Sequence, residues 1–553
     1  MDTAQHFVAI VRDGQLVDLY SDFTQPASSG QEEGAIWEIK ARESQCLAEG
    51  GSAEAALYQL AAERKLCPIF PAKVEREVVS LLKNPGISDP KLLDLTHMAF
   101  VTIDGADSLD LDQALFVEEL SEGHLVHYAL ADASYYVKPG TGLHAEALRR
   151  GASYYMPGFM IPMLPRELSE GLVSLNANVL RRALVFSMTL DADGRCTKTE
   201  IRSARIRSRG KLSFAAVQEY YGGGPGFGSA VDASLTLLSR VGHLRMLLAE
   251  ERGVVRYRRQ EVKATLVSGG VRFSASNAVR HEVELFNEQL SLLCNIEGAR
   301  YLSENGFDFV EPIYRVHPAP SHEKMQNFER MLHSLLQAQS LSGPQWYWSR
   351  DGELPLRQYL EELPDTGAEG RIAMAIHRQA VMANVRSNFQ TELGGHHGVG
   401  AAMYARFSAP MREMIGVFLH GEILEAQAGH GSIDSELRAA VVSRANAARS
   451  LQAQVTSKAN KLVLNQLFAD ALAAQNSLSG TLMGAQGKKA YIRLDEPPID
   501  VKVYLNLAKA RLKPSKDGSS LLLGESVKYR LGDQVSVRVL RRDEQRDRWI
   551  LEI

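Results

Sequence analysis

Thr102-Ile103-Asp104-Gly105-Ala106-Asp107-Ser108-Leu109-Asp110-Leu111-Asp112-Gln113-Ala114-Leu115 puts four carboxylates within nine positions, between an apolar run from Met98 to Ile103 and another from Ala114 to Val117. Carboxylates packed this closely repel one another, and burying them uncompensated is expensive. A divalent cation relieves both costs. Oxygen-only ligands suit magnesium or manganese, whereas zinc prefers His and Cys. An EF-hand calcium loop does not fit. Counted from Asp110 the sixth position is Leu115 where Gly is needed and the twelfth is Ser121 where Glu is needed; counted from Asp104 the third is Ala106. On composition alone the stretch reads as a solvated acidic loop between two strands.

Five ordered blocks change that reading. Asp94-Leu95-Thr96-His97 with the spaced aspartates comes first, then Ala131-Asp132-Ala133-Ser134-Tyr135-Tyr136-Val137. Gly151 to Glu167 (GASYYMPGFMIPMLPRE) follows, with Gly171-Leu172-Val173-Ser174-Leu175. Far downstream lie Gly395-His396-His397-Gly398-Val399 and Tyr404-Ala405-Arg406-Phe407-Ser408-Ala409-Pro410-Met411-Arg412. Together they resemble the RNase II / RNase R family of exoribonucleases, a far more specific signal than any single short motif.

The resemblance implies an α+β catalytic domain with a deep channel for single-stranded RNA, hydrolysed from the 3′ end to nucleoside 5′-monophosphates with magnesium. Two such ions about 4 Å apart serve phosphodiester hydrolysis in general. Asp104, Asp110 and Asp112 match three of the family's four acidic positions and are the expected metal ligands and catalytic carboxylates. Gln113 stands at the fourth, where its amide brings a ligating oxygen but no charge. Arg412 matches the arginine that clamps the phosphate under attack, a task suited to a forked, permanently charged guanidinium. Beside it the chain departs from the family: Glu413 and Met414 replace a basic residue and a tyrosine, and Gly416 replaces an aspartate. Tyr155 matches a tyrosine that stacks near the 3′-terminal bases, with Tyr154 as a half-buried strand aromatic. Glu288, in "NEQLSLLCN", is expected to line the channel. His396, His397 and His420 lack a Cys partner and read as structural or phosphate-facing.

Length and composition set the frame. At 553 residues the chain suggests three domains, and 45% hydrophobic with 23% charged residues is ordinary for a globular protein. No apolar run approaches the ~18 residues of a membrane span. Met1 to His6 lacks the basic and apolar regions of a signal peptide. A cytoplasmic monomer is therefore expected. Cys46, Cys67, Cys196 and Cys294 are scattered without a CxxC pair, against a disulfide framework or a zinc site. From Thr481 onward 15 Lys/Arg face 10 Asp/Glu, a +5 module that leaves −9 for the remainder of a chain whose total is −4. That asymmetry suits nucleic acid.

The expected architecture is multidomain α+β. Residues 1–90 read as a small hairpin-plus-helices module of winged-helix or helix-turn-helix type. A hairpin over 6–20 turns at Asp13-Gly14, Ser21 to Gly34 is a loop, and helices start after Ser52 and Pro71. The family begins instead with two cold-shock-type barrels, for which ninety residues are too few. Residues 91–475 form the mixed α/β catalytic domain. Its expected strands are 124–133, 183–190 and 197–206, and its expected helices 144–151, 211–221, 231–251, 281–305, 321–341, 355–362, 371–388 and 434–474. Residues 478–553 read as an all-β OB-fold RNA-binding barrel, because Tyr529-Arg530-Leu531-Gly532-Asp533-Gln534-Val535 resembles the ribosomal S-one type, with Tyr491 and Tyr504 as stacking candidates. Two further readings stay open: an inactive relative that holds RNA ends because Gln113 weakens the metal site, and a regulator that binds nucleic acid through the N-terminal module.

Overall fold

The computed structural model describes residues 6–41, 43–258, 262–277, 280–431, 433–507 and 511–553; residues 1–5, read above for a leader, lie outside them. At the N-terminus β1 (His6–Arg12) and β2 (Gln15–Asp18) form the expected hairpin. Asp13 and Gly14 both take positive φ, 50° and 71°, as a tight two-residue turn requires. The stretch read as a loop holds β3 (Thr24–Pro26), and β4 (Ile36–Lys40) and β5 (Glu43–Ala48) follow. The result is a five-stranded antiparallel sheet in the order β3-β2-β1-β4-β5. α1 (Ala53–Glu63), capped by Ser52, and α2 (Ala72–Lys83), begun after Pro71, stand where the sequence puts them. They form no helix-turn-helix unit, because α1 packs on the long helix Ser435–Ala473 and α2 on the helix Gly142–Arg150. The winged-helix expectation is therefore replaced by a small sheet whose two helices dock on the catalytic domain.

The catalytic domain is built on a seven-stranded mixed sheet. Its strands are β6 (Leu93–Asp94), β7 (Val101–Asp104), β8 (Gln113–Glu119), β9 (His124–Ala131), β12 (Leu180–Leu190), β13 (Cys196–Arg207) and β14 (Gly210–Ser213), in the order β14-β7-β8-β9-β12-β13-β6. Between β9 and β12 come α3 (Ala133–Tyr136), α4 (Gly142–Arg150) and the short pair β10 (Tyr154–Met156) and β11 (Phe159–Ile161). The helix expected over 211–221 begins later, as α5 (Phe214–Tyr221). Residues 210–213 instead pair in parallel with β7, placing Ser213 opposite Asp104, and the Ser213 side chain then accepts from the Ala216 amide as the helix cap.

α6 (Ser229–Glu251) leads to a hairpin, β15 (Val262–Val267) and β16 (Arg272–Asn277), and then to α7 (Glu282–Glu304). β17 (Tyr314–Val316) pairs with β18 (Asn388–Gln390) around α8 (His322–Gln339), α9 (Leu356–Glu362) and α10 (Gly367–Ala383). α11 (Met414–Ala428) has no counterpart among the expected helices; it is buried almost all round and so carries no one-sided stripe to read. α12 (Ser435–Ala473) is 39 residues long, about 58 Å at 1.5 Å per residue. Asp434 caps it, and Val441, Ala445, Ala448, Val455, Ala459 and Val463 form its buried stripe.

At the C-terminus β19 (Ser477–Gln486), β20 (Lys489–Leu494), β21 (Asp500–Tyr504), β25 (Gln534–Asp543) and β26 (Arg548–Glu552) form a sheet in the order β21-β20-β19-β25-β26. β22 (Leu512–Pro514), β23 (Ser520–Leu523) and β24 (Ser526–Arg530) make a separate three-stranded sheet inserted before β25. This is the OB-type module expected from the sequence, opened between β21 and β26. The N-terminal sheet has the same strand order, so one module of this order stands where the sequence reading finds no room for the family pair. The C-terminal barrel shares its core with the preceding helices: Leu482, Val503 and Val537 belong to one apolar cluster with Leu332, Leu360, Ile376 and Phe468. No helix among the described residues is long and apolar enough to cross a membrane.

Candidate active site

The acidic loop leaves β7 at Asp104 and enters β8 at Gln113. Ser174, from the Gly171–Leu175 block, shapes it. Its hydroxyl accepts from the Leu111 amide at 3.0 Å and donates to the Leu109 carbonyl at 2.8 Å. The Asp112 carbonyl accepts from the Ala131 amide at 2.8 Å, tying the loop to the end of β9. Asp104 Oδ1 accepts from the Gly105 amide at 2.7 Å and the Ser108 hydroxyl at 2.9 Å.

The second half of the site is the loop carrying Ser408 to Arg412, and α7 holds it. Asn295 donates to the Tyr404 and Ser408 hydroxyls at 3.0 Å each, and its Oδ1 accepts from the Phe407 and Ser408 amides at 2.7 and 3.1 Å. Gly416, where the family has an aspartate, is required by close approach, because a Cβ there would lie 2.8 Å from Pro410 Cα. The two loops meet at Asp112. One of its carboxylate oxygens accepts from the Met411 amide at 2.9 Å and the other from Arg412 Nε. The Asp112 side chain is fully buried; burial pushes its carboxyl up, while Arg412 and the Met411 amide favour the charged form. Burial opposes the charge on Arg412, but Asp112, Tyr155, Asp110 and Asp104 hold the guanidinium protonated.

Asp104, Asp110, Asp112, Arg412 and Tyr155 thus come together. Burial raises the Asp110 carboxyl, with Arg412 opposing and Asp104 and Glu170 adding to the rise. Its Oδ2 is buried with no hydrogen-bond partner. Tyr155 is 45% exposed whereas Tyr154 is 4% exposed, so Tyr155 offers the open aromatic face and Tyr154 belongs to the core. Two of the expected site residues have protein partners of their own. Gln113 accepts from the Tyr128 hydroxyl, and Tyr128 in turn bonds Ser291 of α7. Asp112 accepts one protein donor on each oxygen, which leaves a lone pair on each of them.

The fit to magnesium follows. Among the described residues no group of three or more His, Cys, Asp or Glu is arranged to hold a metal. Asp104 and Asp110 do suit an ion of the kind that takes one or two carboxylates and draws its other ligands from water and substrate phosphate. The orphaned Oδ2 of Asp110 is the group such an ion would satisfy.

Beside Arg412 lies a cavity of about 240 Å³ lined by Ser153, Tyr155, Phe389, Arg406, Arg412, Glu413, Arg449 and Gln452, among others. Arg406 pairs with Glu413 at 3.3 Å, and Gln452 brackets Tyr155, accepting from its amide at 2.9 Å and donating to its carbonyl at 3.0 Å. Arg449 donates to the carbonyl and hydroxyl of Ser387, and Arg315 donates to the same hydroxyl at 3.2 Å. Across Ser387 a larger cavity of about 700 Å³ opens, lined by Arg252, Arg256, Arg280, Glu288, Arg315, His317, His396 and His397. Glu288 lines that cavity, where Arg280 pairs with it. His396 and His397 also face this cavity, and burial lowers both, His396 to about 3. His420 is buried against the Phe407 carbonyl.

Sequence alone does not single out Arg406, Arg449, Phe389 or Asn295. Arg406 and Asn295 do fall inside the motif blocks quoted above; Arg449 and Phe389 come from elements that carry no motif.

Comparison with known proteins gives the family. The RNB domain matches residues 92–426, well over half of the chain, and this protein belongs to that family. Ribonuclease R of Escherichia coli K12 is 29% identical over 489 residues, which cover 85% of this chain and 58% of the relative. The chain therefore spans less than two thirds of that relative's length. Among solved structures, Mycoplasma genitalium RNase R in complex with ribose-methylated single-stranded RNA superposes with a TM-score of 0.81 at 19% identity, over 99% of this chain and 88% of that one. Yeast Ssd1, described as a pseudonuclease, superposes with a TM-score of 0.64 at 12% identity, over 93% and 67%. These likenesses show the fold.

Proposed function

We propose that this protein is a 3′→5′ exoribonuclease, a monomer of the cytoplasm that shortens single-stranded RNA and releases nucleoside 5′-monophosphates with magnesium. The observation that carries the reading is the junction of Arg412 with the buried Asp112, beside Asp104 and Asp110 and at the wall of a cavity of about 240 Å³.

In this reading the strand runs through the larger basic cavity, past Arg315 and Arg449, and ends in the smaller one. The terminal base stacks on Tyr155. Arg412 donates to the non-bridging oxygens of the scissile phosphate, where negative charge develops, and Asp112 fixes the guanidinium in place. Asp104 and Asp110 would hold magnesium, which supplies charge neutralisation and a better water nucleophile when bound. The C-terminal module adds affinity through its own groove.

The test is a 5′-labelled single-stranded RNA incubated with the protein and Mg²⁺. A ladder that shortens one nucleotide at a time from the 3′ end, with 5′-monophosphates in solution, is the expected result. Tight binding without shortening would favour the end-binding alternative, in which the Tyr128-held Gln113 leaves the metal site too weak. Binding to duplex DNA through the N-terminal module would favour the regulator.

A further inference from the structure

The smaller cavity contains one group at odds with an anionic substrate. Glu413 lines it beside Arg412, at a position where the family resemblance implies a basic residue. A carboxylate in a site for RNA repels phosphate and accepts hydrogen bonds only. Arg406 Nε donates to one of its oxygens, and the second oxygen can accept from a donor on the ligand. On a nucleotide whose phosphate meets Arg412 and whose base meets Tyr155, the part left to face the remaining wall is the ribose, with its 2′- and 3′-hydroxyls. A carboxylate opposite a ribose hydroxyl is a known discriminator: in dinucleotide sites an Asp or Glu accepts from the free 2′-hydroxyl, and an Arg accommodates the 2′-phosphate instead.

The local charges sharpen the point. Arg406, which would welcome an extra phosphate, is held by Glu413 at 3.3 Å. Arg449 is engaged by Ser387. Glu413 is fixed from both sides, since Ala152 bridges to its backbone and its amide donates to the Ala409 carbonyl at 2.9 Å. We propose that Glu413 is a specificity residue that requires a free 3′-hydroxyl at the RNA end and rejects an end carrying a 3′-phosphate. This rests on the exoribonuclease reading for the placement of the terminal nucleotide. The chemical consequence is a restricted diet. RNA ends left by cleavage to 3′-phosphates or 2′,3′-cyclic phosphates would need a phosphatase-type reaction before this protein could use them.

The test compares two otherwise identical 5′-fluorescent single-stranded RNAs, one ending in 3′-hydroxyl and one in 3′-phosphate. Binding is measured by anisotropy in EDTA, and shortening is measured with Mg²⁺. Wild type is expected to bind and shorten the 3′-hydroxyl strand about tenfold or more better, the separation set by one like-charge contact. Glu413→Gln keeps the shape and should bring the two strands within about twofold, and Glu413→Arg should reverse the preference. Thermal unfolding of each variant checks that it is folded. Equal handling of both strands by wild type, or an unchanged preference in folded Glu413→Gln, overturns the proposal. Failure of wild type to shorten either strand overturns the exoribonuclease reading alone, because the binding ratio in EDTA still decides the role of Glu413.

Discussion

Arg412 places its Nε on a carboxylate oxygen of Asp112, a residue 300 positions earlier in the chain, and the other oxygen of Asp112 receives the Met411 amide. Two distant loops are thus clasped by one buried carboxylate. Removing the partner of a buried charge is costly because the remaining charge is left unpaired. Asp112 serves Arg412 and the Met411 amide, and so ties the arginine to the acidic loop.

Asp112→Asn should therefore cut single-turnover hydrolysis by about 10²–10³-fold, the cost of losing a placed transition-state donor. RNA affinity should change far less, since the side-chain amide introduced there still accepts from one of the two donors. Rapid-quench measurements at saturating RNA, paired with anisotropy, check this. A parallel fall in binding would mean that the loops had come apart.

Tyr155→Ala should weaken the hold on the last few nucleotides by about 1–3 kcal/mol, one stacked base. Its effect should be largest late in degradation, when few other interactions remain. The final oligonucleotides, resolved on a sequencing gel, should become longer and less uniform. A wild-type end pattern would remove Tyr155 from the terminal subsite.

Stability should carry a pH signature from Glu422 on α11. Burial pushes its carboxyl from 4.5 up to about 7, with Glu425 and Glu311 adding to the rise. The folded state therefore holds this proton more tightly than the unfolded chain does. Below pH 4.5 the group costs nothing; the cost grows between pH 4.5 and 7 and is complete above 7. Glu422→Gln keeps an acceptor for the Glu311 amide, which reaches Glu422 Oε2 at 2.6 Å. It should stabilise the protein at about pH 8 by at most about 3 kcal/mol and leave it unchanged at about pH 4. Denaturant melts at the two pH values check the difference.

The groove between the C-terminal module and α12, about 1,030 Å³, is lined by Lys461, Arg493, Lys502, Tyr504, Arg546 and Trp549, among others. Lys502 and Arg546 are exposed there. Replacing each by Ala should flatten the salt dependence of RNA binding by about 0.7 for each phosphate no longer neutralised, with little change in single-turnover cleavage at saturation. Point changes are the right probe, because deleting residues 478–553 would strip Ile376 and Phe468 of their apolar neighbours.

Much of the site is legible in the sequence because its residues lie in contiguous blocks. The aspartates, Tyr155 and Arg412 each sit in a stretch whose spacing announces it. Gln113 is less legible. It opens β8 and its amide oxygen accepts from the Tyr128 hydroxyl, a partner that no spacing in the sequence announces. Arg449 is illegible because it is one arginine on a long polar-faced helix, and only folding brings it to Phe389. α11 hides for the opposite reason: it is buried on nearly every side, polar His420 and Glu422 included, and periodicity needs contrast. β3 and β5 are short and largely exposed, so alternation never emerges against the polar background.

The shared core of the C-terminal barrel and α8 to α10 has a consequence for how such proteins diversify. A module joined by a flexible tether can be exchanged between genes with no repair beyond the tether. Here Leu482, Val503 and Val537 would have to be replaced together with the helix residues that interlock with them. The unit of inheritance is then the barrel plus its helical seat, and a chimaera cut at residue 477 should be found in inclusion bodies rather than in solution.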